Sequence, residues 1–262
     1  MRRSFTSEWL KLRRRGMLAA LATVVGVTGL VTLLSISRAG LAGQGPRGRE
    51  FFSLAALQGS HGLALVIARS SGLLGVVALA VFASAFASEF SQGTLRNLLV
   101  REPRRLHLLA GKYAAMVSAA AGAVVVAVAA GVPLAFVTAS GRGIPTSAWS
   151  SGAGLAALAH TILNLVLAVI GWGTFGAVLA VILRSPVTAI GVGLAWALPL
   201  EAILGATING LDRWLPGQLL DTLAAGGNAT ATYAGAALTL LLYGAVAIAV
   251  AAVVFTRRDV VT

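Results

Sequence analysis

Ser88-Glu-Phe-Ser-Gln-Gly-Thr-Leu-Arg-Asn-Leu-Leu-Val-Arg-Glu-Pro-Arg-Arg-Leu-His-Leu-Leu-Ala-Gly-Lys112 lies between an apolar run that ends at Ala87 and another that begins at Tyr113. Two runs of that kind, joined by a basic segment, read as membrane spans with a structured connector. Leu95, Leu98 and Leu99 repeat at helical spacing behind a Gly93-Thr94 start, while Arg96, Arg101, Arg104, Arg105 and Lys112 supply charge. Thr94 can cap a short helix, and Pro103 is placed to open a second one. A plain solvated loop needs about a dozen residues and no leucine stripe. The pattern therefore predicts two short helices at the membrane surface, with a docking role.

Working outward, 58% hydrophobic residues, 11% charged residues and a mean hydropathy of +0.89 exclude an ordinary water-soluble globule. Helical runs of about 20 residues, enough for about 30 Å of hydrocarbon, fall at Met17–Ile36, Leu63–Ala87, Tyr113–Ala139, Gly154–Leu183, Val187–Ala206 and Ala234–Phe255. The expectation is an all-α polytopic membrane protein, a single transmembrane domain over residues 1–262. Met17–Ile36 exceeds the length of a signal-peptide core and lacks a small-x-small exit before Arg38, so it reads as a retained anchor.

The net charge of +12 is distributed between the apolar runs rather than over one basic surface, which points to orientation and not to nucleic acid. Arg2, Arg3, Lys11, Arg13, Arg14 and Arg15 precede span one; the Ser88–Lys112 connector, Arg184, and Arg257 with Arg258 follow spans two, four and six. By the positive-inside rule these groups are cytoplasmic, with both termini inside. Arg38, Arg47, Arg49, Arg142 and Arg213 fall outside, where Ser37–Gly62 and Thr207–Tyr233 are the longer loops. Before span one, Phe5, Trp9 and Leu12 lie four and three residues apart with Lys11, Arg13, Arg14 and Arg15 alongside, as in an interfacial amphipathic helix over residues 1–16 that meets anionic lipid.

Chemistry-bearing constellations are absent from the sequence. There is no cysteine, and His61, His107 and His160 have no ligand spacing, which removes redox and zinc chemistry and leaves no catalytic, cofactor or metal residue to name. Gly111-Lys112 is followed by Tyr113 and has no glycine five residues before it, so the chain has no Walker A phosphate cradle. Glycines at 26 and 29, 72 and 75, and 171, 173 and 176 predict close helix packing, within the bundle or between chains. After Pro199, Glu201 falls near the outer end of span five, ahead of Asn209, Asp212, Arg213, Trp214, Pro216 and Asp221 in a loop that can dip back as short helices. It is read either as an interfacial or Arg213-paired residue or as a candidate outer gate, the latter because an acid at bilayer depth costs about 3 kcal/mol.

Ser7-Glu8-Trp9-Leu10-Lys11-Leu12-Arg13, then Glu89, Gly93-Thr94-Leu95-Arg96 and Arg105 through Gly111-Lys112, then Phe255-Thr-Arg-Arg-Asp259, arranged in that order around six spans, resemble the permease subunits of ABC-2 type transporters. The resemblance implies that the connector after span two seats in a groove of a cytoplasmic ATPase, that ATP and Mg belong to that partner, and that two permeases, identical or not, assemble with two ATPases. It assigns Glu89, Gly93, Thr94, Leu95, Arg96, Leu98, Leu99 and Arg105 to coupling. The resulting expectation is an exporter subunit in a bacterial cell membrane with no enzymatic activity of its own. An ATP-independent channel or carrier, or a membrane scaffold, is the competing reading.

Overall fold

The computed structural model describes residues 15–41, 51–91, 105–228 and 231–257, and among them every regular element is helical. The long elements are α1 (Arg15–Ser37), α4 (Ser71–Ser91), α5 (Arg105–Gly141), α6 (Gly152–Leu183) and α10 (Tyr233–Arg257). Between them stand the short helices α2 (Leu54–Gln58), α3 (Gly62–Ala68), α7 (Pro186–Ala195), α8 (Glu201–Thr207) and α9 (Pro216–Ala225). Six helical stretches are long and apolar enough to cross a membrane: Gly16–Ser37, Gly62–Ser88, Leu109–Gly141, Gly152–Leu183, Pro186–Thr207 and Tyr233–Phe255. The chain thus has the architecture of a multi-pass membrane protein, with spans within a few residues of those read from hydropathy.

Local chemistry sets the boundaries. Ser151 caps α6 by accepting the Gly154 N–H at 3.1 Å, and Ser185 does the same for α7 towards Thr188 at 3.4 Å, with Pro186 at the first helical position. Arg184, in the left-handed conformation with φ 56°, closes α6, so two residues turn the chain back into α7. At the opposite end of the bundle Trp149 is fully enclosed; its indole Nε1 donates to the Leu57 carbonyl at 2.7 Å and its ring meets Phe136 edge-on.

Two packed units make the core. α1 and α5 run parallel, joined at the far end by the Arg142 guanidinium, which donates to the carbonyls of Ser37 and Ala39. α4 and α6 also run parallel and have the most extensive contact in the structure. Their glycines explain the close approach: a Cβ at Gly176 would lie 2.3 Å from the Leu79 carbonyl oxygen, and one at Gly75 would lie 2.1 Å from Trp172 Cδ1. These glycines serve packing within one chain. Gly26, by contrast, faces open space.

The structure departs from the sequence expectation at three places. Span two is two helices, broken at Arg69-Ser70, where Ser70 turns its hydroxyl onto the Ile67 carbonyl at 2.7 Å and a Ser-Ser-Gly run weakens the helix. Residues 105–112 form no separate surface helix; they are the first two turns of the 37-residue α5, because Leu106 to Ala110 favour helix and one glycine costs only about 1 kcal/mol. Lys112, read as one of the charges of the connector, is buried with its Nζ over the Phe86 ring. Residues 207–233, read as an outer loop able to dip back as short helices, carry a short 3-10 turn at Asp212–Trp214 and the buried helix α9.

Candidate functional site

Pro199 determines what happens in span five. It lacks an N–H and its ring clashes with the carbonyl four residues back, so an unbroken helix is disfavoured. The chain instead widens into a π turn over Trp196–Leu200, with the Glu201 N–H reaching the Trp196 carbonyl five residues earlier. That register carries Glu201 inward: it is 3% exposed.

Two donors hold its carboxyl group. Trp196 Nε1 donates to Oε1 at 2.5 Å and the Gly217 N–H donates to the same oxygen at 2.9 Å, with the Gln218 N–H next to them on the carboxyl side. Gly217 and Gln218 are the second and third residues of α9, whose N-cap, Leu215, has no side chain able to cap it. Glu201 therefore supplies from another helix the acceptor that a serine or aspartate would normally supply locally. Gly217 is required for this contact, since a Cβ there would sit 2.3 Å from Glu201 Oε2 and 2.9 Å from Trp172 Cζ2.

Trp172 wedges between Gly75 of α4 and Gly217 of α9, so three helices meet at one ring. From Trp172 to Leu183 α6 rises about 17 Å of its roughly 48 Å, which puts this layer deep within the bundle. α9 is accordingly re-entrant with respect to the bundle: it starts at this layer, buries Leu219, Leu220, Thr222 and Leu223, and ends at Gly226 with φ 80°. Along the same helix, Asp221 accepts from the Ser71 hydroxyl at 2.8 Å, tying α9 to the start of α4. At its far end Asn228 donates to Thr222 Oγ1 at 2.8 Å, and the Tyr233 hydroxyl bonds to Asn164 Oδ1 at 3.1 Å, fixing α10 to α6.

Of the residues read as functional from sequence, Glu201 is the one this arrangement places in a site, and its setting differs from an interfacial or Arg213-paired one. Arg213 stacks over Trp214 instead, 5.9 Å from the ring centroid. Glu89 lies in the last turn of α4, Arg105 opens α5 and Arg15 opens α1, each in a backbone position only. Gly93, Thr94, Leu95, Arg96, Leu98 and Leu99 of the connector, and Phe5, Trp9, Lys11, Arg13 and Arg14 of the interfacial segment, lie outside the described residues. His160 and His107 are exposed, and no group of three metal-ligating side chains occurs among the described residues.

Sequence reasoning missed Trp196, Gly217 and Trp172. The available signal was a proline two residues before an acid inside an apolar run, followed by Pro216-Gly217 opening a strongly amphipathic helix. The two chemical possibilities for such a carboxyl group are to hold the re-entrant helix in place and to release it.

No curated protein matches the chain. Residues 64–261, three quarters of the sequence and all of α4 to α10, match the family described as protein of unknown function (DUF2705), and the chain belongs to that family.

Proposed function

We propose that this chain is the transmembrane permease subunit of an ATP-driven ABC-2 type transporter, an exporter in a bacterial cell membrane with both termini cytoplasmic. The observation that carries the reading is a combination. A basic, leucine-striped connector joins spans two and three, and a fifth span broken at Pro199 leads into a re-entrant helix held by a buried acid. The first is a place for an ATPase to push. The second is a place for a gate.

A packed path joins them. The connector continues into α4 and α5; α4 lies on α6 and α7 through Leu79 against Gly176 and Gly193; and at Gly75 it grips Trp172, which bears on Gly217 and so on the Glu201 bond. In this mechanism ATP binding closes two partner ATPases, the connector moves with them, and a shift of α4 along α6 alters the wedge that keeps α9 seated. Glu89, Gly93, Thr94, Leu95, Arg96, Leu98, Leu99 and Arg105 form the coupling contact, with the Phe5, Trp9 and Arg13–Arg15 segment as an anchor in anionic lipid. Two permease chains and two ATPases make the working unit, and ATP with Mg is bound by the ATPases.

The division of labour is testable on purified material. The chain alone shows no ATP turnover and no saturable nucleotide binding, and adding its ATPase gives substrate-stimulated hydrolysis. Saturable ATP binding by the chain free of other subunits refutes it.

A further inference from the structure

α1 and α5 touch in their far halves and separate in their near halves. Towards the far end Gly29 meets Leu134 at 3.4 Å, the bare Cα of Gly131 admits Thr28 and Ile67, and Arg142 closes the pair. Towards the end where α1 begins, a cavity of about 280 Å³ opens between α1, α4 and α5. Its α5 wall is Ala119, Ala120, Gly122 and Ala123, and a Cβ at Gly122 would meet nothing within 4 Å. Small residues here hold space open; they bring no helix closer.

The lining offers water nothing. Its one polar side chain, Ser118, turns its hydroxyl onto the Ala114 carbonyl at 2.8 Å, whereas a buried water needs two to four polar partners. The α1 wall, Met17 to Val24, lies within the membrane-spanning stretch, and Leu18 at the rim is 60% exposed, so the neighbouring medium at that depth is lipid hydrocarbon. An apolar cavity of about 150 Å³ already takes up benzene. At about 280 Å³ there is room for one slim aliphatic chain and none for a headgroup.

We propose that the cavity between α1, α4 and α5 is a lateral binding site for one phospholipid acyl chain. The proposal rests on the membrane-spanning fold and is independent of the transporter reading. In phosphatidylcholine vesicles carrying a diazirine near the chain terminus, photolysis followed by peptide mapping should place adducts on Leu21, Met116 and Val124. These should saturate near one per chain, while adducts on Leu238 and Leu241, exposed on α10, grow in proportion to probe. Ala123→Phe, which fills the cavity, should lower the cavity adducts at least tenfold and leave those at Leu238 and Leu241 unchanged. Ala120→Leu, a smaller change, should lower them severalfold and serves if the first variant does not fold. Cavity adducts unchanged in a folded filled variant, or never exceeding the level at Leu238, would overturn the site. So would their absence together with chain-to-chain crosslinking through Leu18→Cys, because a second copy would then cover this face.

Discussion

Replacing Glu201 tests the link between the broken span and the re-entrant helix. In Glu201→Gln the amide oxygen can still accept from Trp196 Nε1 and the Gly217 N–H, which lie 2.5 and 2.9 Å from Oε1, but its NH2 group puts a donor where the carboxyl group had its second oxygen, facing the N–H groups that open α9. Exchanging an acceptor for a donor at a helix N-terminus should cost about 1.5 kcal/mol. In Glu201→Ala both donors lose their acceptor in an apolar setting, and leaving buried donors unsatisfied costs about 1–3 kcal/mol each, so the latch itself should fail. Hydrogen exchange reads this locally, because nothing else in α9 protects its first amides. At about 1.4 kcal/mol per tenfold, the Gly217 and Gln218 amides should exchange roughly tenfold faster in Glu201→Gln and more than a hundredfold faster in Glu201→Ala. Amides of α4 and α6 should keep their rates. Equal protection of Gly217 and Gln218 in the parent and in Glu201→Ala would show that the carboxyl group does not hold α9, and the gate assignment would fall with it.

Other expectations follow from packing and from charge. Gly176→Ala drives a Cβ to 2.3 Å from the Leu79 carbonyl oxygen and should cost about 3 kcal/mol in a detergent unfolding titration, while Gly26→Ala, facing open space, should stay within about 0.5 kcal/mol. If the two substitutions cost the same, the close contact of α4 with α6 is not what the glycine is for. The chain has no native cysteine, so single cysteines report topology directly: those at Ser53, Ser147 and Ala225 should react with an impermeant thiol reagent outside intact cells, and those at Ser91 and Ser185 should resist it. Labelling of the Ser91 variant from outside would invert the orientation.

Hydropathy alone placed all six spans, because a 20-residue apolar requirement is set by the bilayer and hardly depends on packing. What it could not place was the interior geometry. The break at Arg69-Ser70 turns on where a serine hydroxyl points, and the seat of α9 turns on a five-residue backbone register that Pro199 permits without dictating. Glu201 was legible as an unusual acid, yet its partners were not: Gly217 is sixteen residues away and gives no sequence pattern to tie it to a carboxyl group. Asp212, Arg213 and Trp214 looked like a polar loop, and the nearest formal charge, Arg213, was the natural partner by sequence. The structure sends that guanidinium to Trp214 because α9 brings its own N–H groups to the acid first.

The central claim is that the Ser88–Lys112 connector couples this bundle to an ATPase. Leu98→Ala combined with Arg96→Glu removes one anchor of the apolar stripe and reverses a charge, and each anchor of so small a contact should carry more than about 1–2 kcal/mol. In proteoliposomes containing the chain and the ATPase that co-purifies with it, the double variant should insert and unfold like the parent but lose ATPase association and substrate-stimulated hydrolysis. If it still binds the ATPase and supports ATP-driven transport at the parent rate, the connector is not the coupling element and the transporter assignment loses its support.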